Sequence, residues 1–193
     1  MTTLLLATKN KHKADELIKL LKGSAEVQTL PDDYPEIEET GTTLEENSRL
    51  KARSAFASFH PPTVADDTGL EVAALDGAPG IYAARYAGPG ASYEDNCRKL
   101  LKELKDQTDR NASFITTICY IDADGNEHYF RGEVKGIIAF EGRGKNGFGY
   151  DPVFIPRDGD GSTFAELSAS EKNTLSHRAR AIAKLVEYLK SQT

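Results

Sequence analysis

The chain is short of cysteine, of long apolar runs and of positive charge, and each shortage excludes something. Of 193 residues only two are cysteine, Cys97 and Cys119, with no metal-ligand spacing. They read as buried, reduced thiols of a cytosolic protein. No apolar run approaches the roughly 18 residues of a membrane span, so no membrane partner is expected. The first eight residues lack a basic stretch, and their apolar core is too short for a secretory signal. The expected location is therefore cytoplasmic. No repeat, low-complexity tract or linker divides the chain, so one domain over residues 1–193 is expected, long enough to bury a full core. Lys and Arg number 24 against 30 Asp and Glu, a net charge of −6. That balance argues against non-specific nucleic-acid binding and leaves room for a local basic pocket. With 39% apolar and 28% charged residues, the composition is that of a folded globular chain.

The stretch Thr63-Val64-Ala65-Asp66-Asp67-Thr68-Gly69-Leu70 concentrates the most chemistry. Pro61-Pro62 stops a preceding helix, and Val64-Ala65 reads as a short buried strand ended by two carboxylates. Thr68-Gly69 is then expected to turn the chain into a second apolar run, Leu70 to Leu75. Neighbouring side chains on a strand face opposite ways, so Asp66 and Asp67 cannot serve the same surface. Carboxylates at a strand end hold Mg²⁺ against phosphate and steer water. The plainer alternative is an Asx-turn beside Gly69.

Upstream, Leu4-Leu5-Leu6-Ala7 suits a strand buried on both faces. Thr8-Lys9-Asn10-Lys11-His12-Lys13 leads into a helix ending near Lys22, with Ala14, Leu17, Ile18 and Leu21 on its apolar face. Thr8 or Asn10 can cap it. A polar turn at a helix N-terminus favours an anion. Lysines there oppose the dipole unless an anion is bound, which favours a phosphate site even without a glycine-rich fingerprint.

Glu26 to Leu30 reads as a short strand. Residues 23–48 hold eight acidic residues and no Lys, Arg or His, a segment where a cation finds ligands. Glu38 and Glu39 are the best carboxylate partners for Asp67. Thr43 to Glu46 has capping-box spacing, predicting a helix to Phe59 with Leu44, Ser48, Ala52, Ala55 and Phe59 on its buried face. Asn47 and Lys51, four apart, border that face and either line a pocket or edge the core.

A helix is expected over Ser92 to Lys105. Strands Phe114 to Ile121 and Glu127 to Phe140 flank the turn Asp124-Gly125, which makes the sheet mixed. In Phe148-Gly149-Tyr150-Asp151-Pro152 a loop aromatic either stacks on a base or anchors the core. Lys172, His177 and Arg178 gather where a last helix begins, with Ala179, Ile182, Val186 and Leu189 on its buried side. Three such groups before a helix suggest an anion or base site.

Together these motifs resemble the inosine triphosphate pyrophosphatase family, enzymes that hydrolyse ITP, dITP and XTP. The resemblance rests on residues 8–13, Glu38-Glu39-Thr40-Gly41, Glu46-Asn47, Ala65-Asp66-Asp67-Thr68-Gly69, Gly77-Ala78-Pro79-Gly80, residues 148–152, Glu171-Lys172-Asn173 and Ser176-His177-Arg178. It implies an α/β fold with an elongated mixed sheet flanked by helices, two lobes and a central cleft, Mg²⁺ dependence and a homodimer. It departs from the common bacterial pattern at His12, where Gly is frequent, and at Thr68, where Ser is.

Carried over, the resemblance makes Asp67 the general base and a metal ligand, with Glu38 the second ligand. Thr8, Lys9, Asn10, Lys11, His12 and Lys13 would hold the triphosphate, with Thr68 alongside and Lys172 adding charge. Phe148 would stack on the purine, and Gly149, Tyr150, Asp151, His177 and Arg178 would complete the base pocket. Attack at the α-phosphorus, giving monophosphate and pyrophosphate, is implied by the resemblance alone. The rivals are a Maf-type nucleotide pyrophosphatase, a non-catalytic nucleotide sensor on the same scaffold and, more weakly, a Mg²⁺ nuclease.

Overall fold

The computed structural model describes residues 2–192. Seven strands lie among them: β1 (Thr3–Leu6), β2 (Glu26–Thr29), β3 (Thr63–Val72), β4 (Pro79–Gly80), β5 (Asn111–Ile121), β6 (Glu127–Ile138) and β7 (Phe154–Pro156). The helices are α1 (Lys11–Leu21), α2 (Leu44–Phe59), α3 (Tyr93–Glu103), α4 (Ala169–Leu175) and α5 (His177–Ser191), with short 3₁₀ turns at Ala73–Leu75 and Ala83–Arg85. The strand order is β2-β1-β3-β5-β6-β7, with β4 paired to β3. β1 pairs in parallel with β2 and β3, whereas β3–β4 and β6–β7 are antiparallel. The sheet is mixed, as expected.

The chain divides into two compact units. The first comprises residues 1–67, 116–132 and 178–193, and the second residues 68–115 and 133–177. In the first, the leucines of β1 are buried on both faces. Leu4 and Leu6 pack with Leu17 and Leu21 of α1 and with Ile182 and Leu185 of α5. Leu5 and Ala7 point the other way, into a cluster with Ala52 and Ala55 of α2. Val64 joins the first cluster and Ala65 the second, so β3 alternates in the same sense. Each fully buried leucine here contributes about 1.5–3 kcal/mol. The second unit is built on Leu70, Leu100, Phe114, Phe154 and Phe164.

Several boundaries differ from those read off the sequence. β3 does not end at the aspartates but runs on through Thr68 and Gly69 to Val72. Gly69 lies inside the strand without a left-handed backbone, so the expected turn does not form there. Both aspartates find cationic partners, which lets the strand bury them. Phe59 is 42% exposed and tilts against Tyr34 instead of joining the core, while Asn47 takes a buried position on α2. β6 stops at Ile138, leaving Phe140 exposed beneath the guanidinium of Arg110. α4, seven residues long, adds a helix to those expected; Ser168 and Glu171 form its capping box.

Candidate active site

In the first unit, β3 presents its two aspartates to opposite sides. Asp66 shares the face of Val64, toward α1 and α5. Its Oδ2 accepts from Nε and Nη2 of Arg178 at 3.2 and 3.0 Å and lies 3.5 Å from Nζ of Lys13. The third arm of Arg178, Nη1, donates to Glu16. Asp67 shares the face of Ala65, toward α2. Its Oδ1 accepts from Nζ of Lys51 at 3.3 Å, and the same ammonium donates to Oε1 of Glu39 at 2.6 Å.

The two carboxyls have opposite electrostatic fates. Burial pushes the Asp66 carboxyl up, but Lys13 and Arg178 outweigh it and hold its pKa far below the usual carboxylate range. Burial raises Asp67 and prevails there, with Glu39 and Asp66 adding repulsion against the attraction of Lys51 and Lys13. Burial works against the charge on Lys51 too, but Asp67 and Glu39 overcome it and raise its pKa. Lys13 is lowered by burial, which Asp66 offsets only in part.

Asp67 is 5% exposed, and its Oδ2 is a buried oxygen with no hydrogen-bond donor among the described residues. A raised carboxyl with one committed and one uncommitted oxygen is equipped to take a proton from water or to meet a cation. Among the described residues no group of three His, Cys, Asp or Glu side chains could hold a metal ion. Mg²⁺ asks for less, since it binds through one or two carboxylates with waters and substrate phosphates completing its shell. Asp67 with Glu39 fits that demand. Glu38, the ligand expected from the resemblance, is exposed, and Glu39 is the neighbour that meets Lys51.

The N-terminal turn serves the same unit. Asn10 caps α1, its side chain accepting from the Lys13 N–H at 3.2 Å, and Thr8 Oγ1 accepts from the Asn10 N–H. Lys13 turns toward Asp66, whereas Lys9 reaches the carbonyls of Pro31 and Asp32. Lys11 and His12 are exposed at the first turn.

A separate cluster lies in the second unit. Nζ of Lys172 donates to Oδ2 of Asp151 at 2.6 Å and stands 5.0 Å from the centre of the Phe148 ring. The same Oδ2 accepts from the Phe148 N–H at 2.9 Å, which fixes the half-buried aromatic. Gly147, with φ of 72°, is required here because a Cβ would fall 2.0 Å from that oxygen. Tyr150 is buried and its hydroxyl donates to the Ala83 carbonyl, an anchoring contact. The Gly149 carbonyl accepts from Cys97 Sγ at 3.3 Å. His177 stacks on Phe114 with centroids 4.4 Å apart and planes 11° apart. Thr68 is half-buried at the unit's first position.

Of the residues singled out from sequence, the structure thus joins Lys13, Asp67 and Arg178 to one unit's ionic cluster. Phe148, Asp151, Lys172 and His177 belong to the other unit. Neighbours in sequence, His177 and Arg178 serve different clusters. Sequence reasoning missed Glu16 and left open whether Lys51 lines a pocket and which of Glu38 and Glu39 turns toward Asp67; here Lys51 meets Asp67 and Glu39. The spacing of Lys51 from Asn47 was the available hint.

The chain belongs to the Ham1 family, whose model matches residues 4–188. It is 46% identical over 192 residues, 98% of each chain, to a dITP/XTP pyrophosphatase of Porphyromonas gingivalis. It is 47% identical to one of Exiguobacterium over 185 residues, 94% of each chain. The solved Ham1 protein of Staphylococcus aureus matches with a TM-score of 0.88 and 39% identity over the whole of both chains. That of Coxiella burnetii matches at 0.87 and 40%, covering 99% of this chain and 100% of its own. The resemblance drawn from the motifs therefore holds.

Proposed function

We infer that the protein hydrolyses noncanonical purine nucleoside triphosphates, dITP, XTP and ITP, to the monophosphate and pyrophosphate. The observation that carries this reading is the uncommitted Oδ2 of Asp67 beside the Lys51–Glu39 pair, in a chain whose relatives bear the name dITP/XTP pyrophosphatase.

Asp67 accepts a proton from the attacking water, and the resulting hydroxyl oxygen bonds to the α-phosphorus as the bond to the pyrophosphate leaving group breaks. Lys13 and Lys51 supply fixed positive charge for the phosphates, with the capped turn at residues 8–13 adding N–H donors. Mg²⁺, held by Asp67 with Glu39 or Glu38, would neutralise phosphate charge. Phe148 stacks on the purine, fixed by Asp151, with Lys172 supplying further positive charge and His177 completing the base pocket. Arg178 holds Asp66 and through it Lys13, its Nε, Nη1 and Nη2 each donating to a carboxylate. The family model spans both units, which supports reading them as one catalytic domain. The protein is proposed to work on free nucleotides in the cytoplasm as a homodimer; no helix among the described residues is long and apolar enough to cross a membrane.

The test is a pyrophosphate-release assay with Mg²⁺ and a panel of XTP, dITP, ITP, ATP and GTP. Release from the first three with little from ATP and GTP supports the reading, and no release from any of them refutes it.

A further inference from the structure

Asn47 lies near the start of α2 and is completely buried. Asparagine is a poor helix former and brings two polar atoms into the core, where alanine would be better tolerated. Only one of those atoms is used by the protein. Oδ1 accepts from the Gly41 N–H at 2.9 Å, and that donor fixes which end of the amide is oxygen. Nδ2 is buried and finds no acceptor among the described residues, a costly arrangement that core packing alone does not justify. The fit is close on the other side as well. A Cβ on Gly41 would fall 2.7 Å from Oδ1 and 2.6 Å from Cβ of Glu46. Gly41 has no left-handed backbone, so glycine is needed there for room and not for conformation.

What this contact holds is chemically specific. Residues 30–43 form no helix or strand, and Glu38 and Glu39 sit within them just before Gly41. Irregular segments of this length are usually functional and depend on a few attachments. Lys9 holds the start of the segment at Pro31 and Asp32, and over residues 39–42 side chains of α2 supply attachments. Asn47 takes Gly41, Glu46 takes the Thr42 N–H and hydroxyl at 2.5 and 2.8 Å, and Lys51, one turn on, takes Glu39. Glu39 keeps 23% of its side chain exposed, so its ion pair alone is a weak tether.

We propose that Asn47 is a positioning residue for this site: its Oδ1 fastens the Glu38–Gly41 segment to α2, so that Glu39 sits on Lys51 beside Asp67. The proposal deepens the hydrolytic reading and rests on it for its kinetic consequence. Amide hydrogen exchange of the free protein, paired with kcat and KM for XTP, tests it in Asn47→Ala, Gly41→Ala and Asn47→Asp. The first two variants should speed exchange over residues 38–42 about tenfold, the scale of one lost hydrogen bond, with residues 50–59 unchanged. Their kcat should fall by about tenfold or more while KM moves less, because positioning is lost and not bulk binding. Asn47→Asp keeps the acceptor and should keep both the protection and most of kcat. Unaltered exchange in Asn47→Ala, acceleration spread evenly through α2, a loosened segment with wild-type kcat, or an Asp variant as impaired as the Ala variant would each overturn the proposal. Exchange needs no turnover, so an enzyme inactive on every nucleotide would refute the hydrolytic reading while the fastening is still decided.

Discussion

Asp66 and Asp67 are adjacent in sequence, yet Asp66 meets Arg178 at 3.0 Å on one side of β3 and Asp67 meets Lys51 at 3.3 Å on the other. The alternation of the strand turns one carboxylate to Arg178 and the other to Lys51. Asp67→Asn should leave the fold intact and cut turnover by about 10²–10⁴, the scale of general-base loss. Asp66→Asn should instead destabilise, by about 3–5 kcal/mol, because Arg178 keeps its charge in a buried setting with one partner removed. Thermal unfolding and turnover of the two variants check this. A stable, inactive Asp66→Asn beside an active Asp67→Asn would exchange their roles.

The two pKa directions predict different pH behaviour. Asp66 is depressed below the ordinary aspartate value of 3.8, so its contribution to stability is present above that pH and is lost as the pH falls below it. Wild-type stability should therefore drop on acidification below about pH 4, more steeply than that of Asp66→Asn. Asp67 is raised, so its ionisation opposes folding above 3.8, and Asp67→Asn should not lower the melting temperature at neutral pH. The acid limb of kcat/KM should lie above the ordinary aspartate range, because the base works only when ionised. A profile flat down to pH 4 would count against Asp67 as that base.

Lys13→Ala and Lys51→Ala should both lower turnover through lost stabilisation of phosphate charge. Lys19, exposed further along α1, is the control, and Lys19→Ala should behave as wild type. Equal losses in all three would move the phosphate site away from the residues 8–13 turn.

Each nitrogen of the Arg178 guanidinium donates to Asp66 or Glu16. Arg178→Ala should accordingly lower the melting temperature and reduce activity on XTP and ATP by the same factor. A loss on XTP far larger than that on ATP would show that the guanidinium reads the 6-oxo group directly, since a donor-only side chain favours an oxygen over an amine.

Much of this was legible because periodicity and capping are local. Leu4 to Ala7 announced a strand buried on both faces, and Asn10, Thr43 and Ser92 cap the helices they precede. The opposed aspartates followed from the strand period alone. The extent of β3 did not, because its continuation depends on distant cations neutralising the carboxylates. Glu39 could not be told from Glu38, since an irregular segment has no period to say which side chain turns inward. Lys51 resembled an ordinary border lysine until its partners from residues 39 and 67 were in place. Arg178 was legible as a charge near other charges, but its pairing across 112 positions to Asp66 was not.

The central claim is that Asp67 activates water for cleavage of noncanonical purine triphosphates to monophosphate and pyrophosphate. The most direct test is product analysis of XTP and ATP with Mg²⁺, comparing wild type with Asp67→Asn. The account predicts xanthosine monophosphate and pyrophosphate in equal amounts from the wild type, a preference over ATP of up to the order of 10⁴, and almost no product from Asp67→Asn. Release of orthophosphate and a diphosphate, equal turnover of ATP, or an active Asp67→Asn enzyme would contradict it.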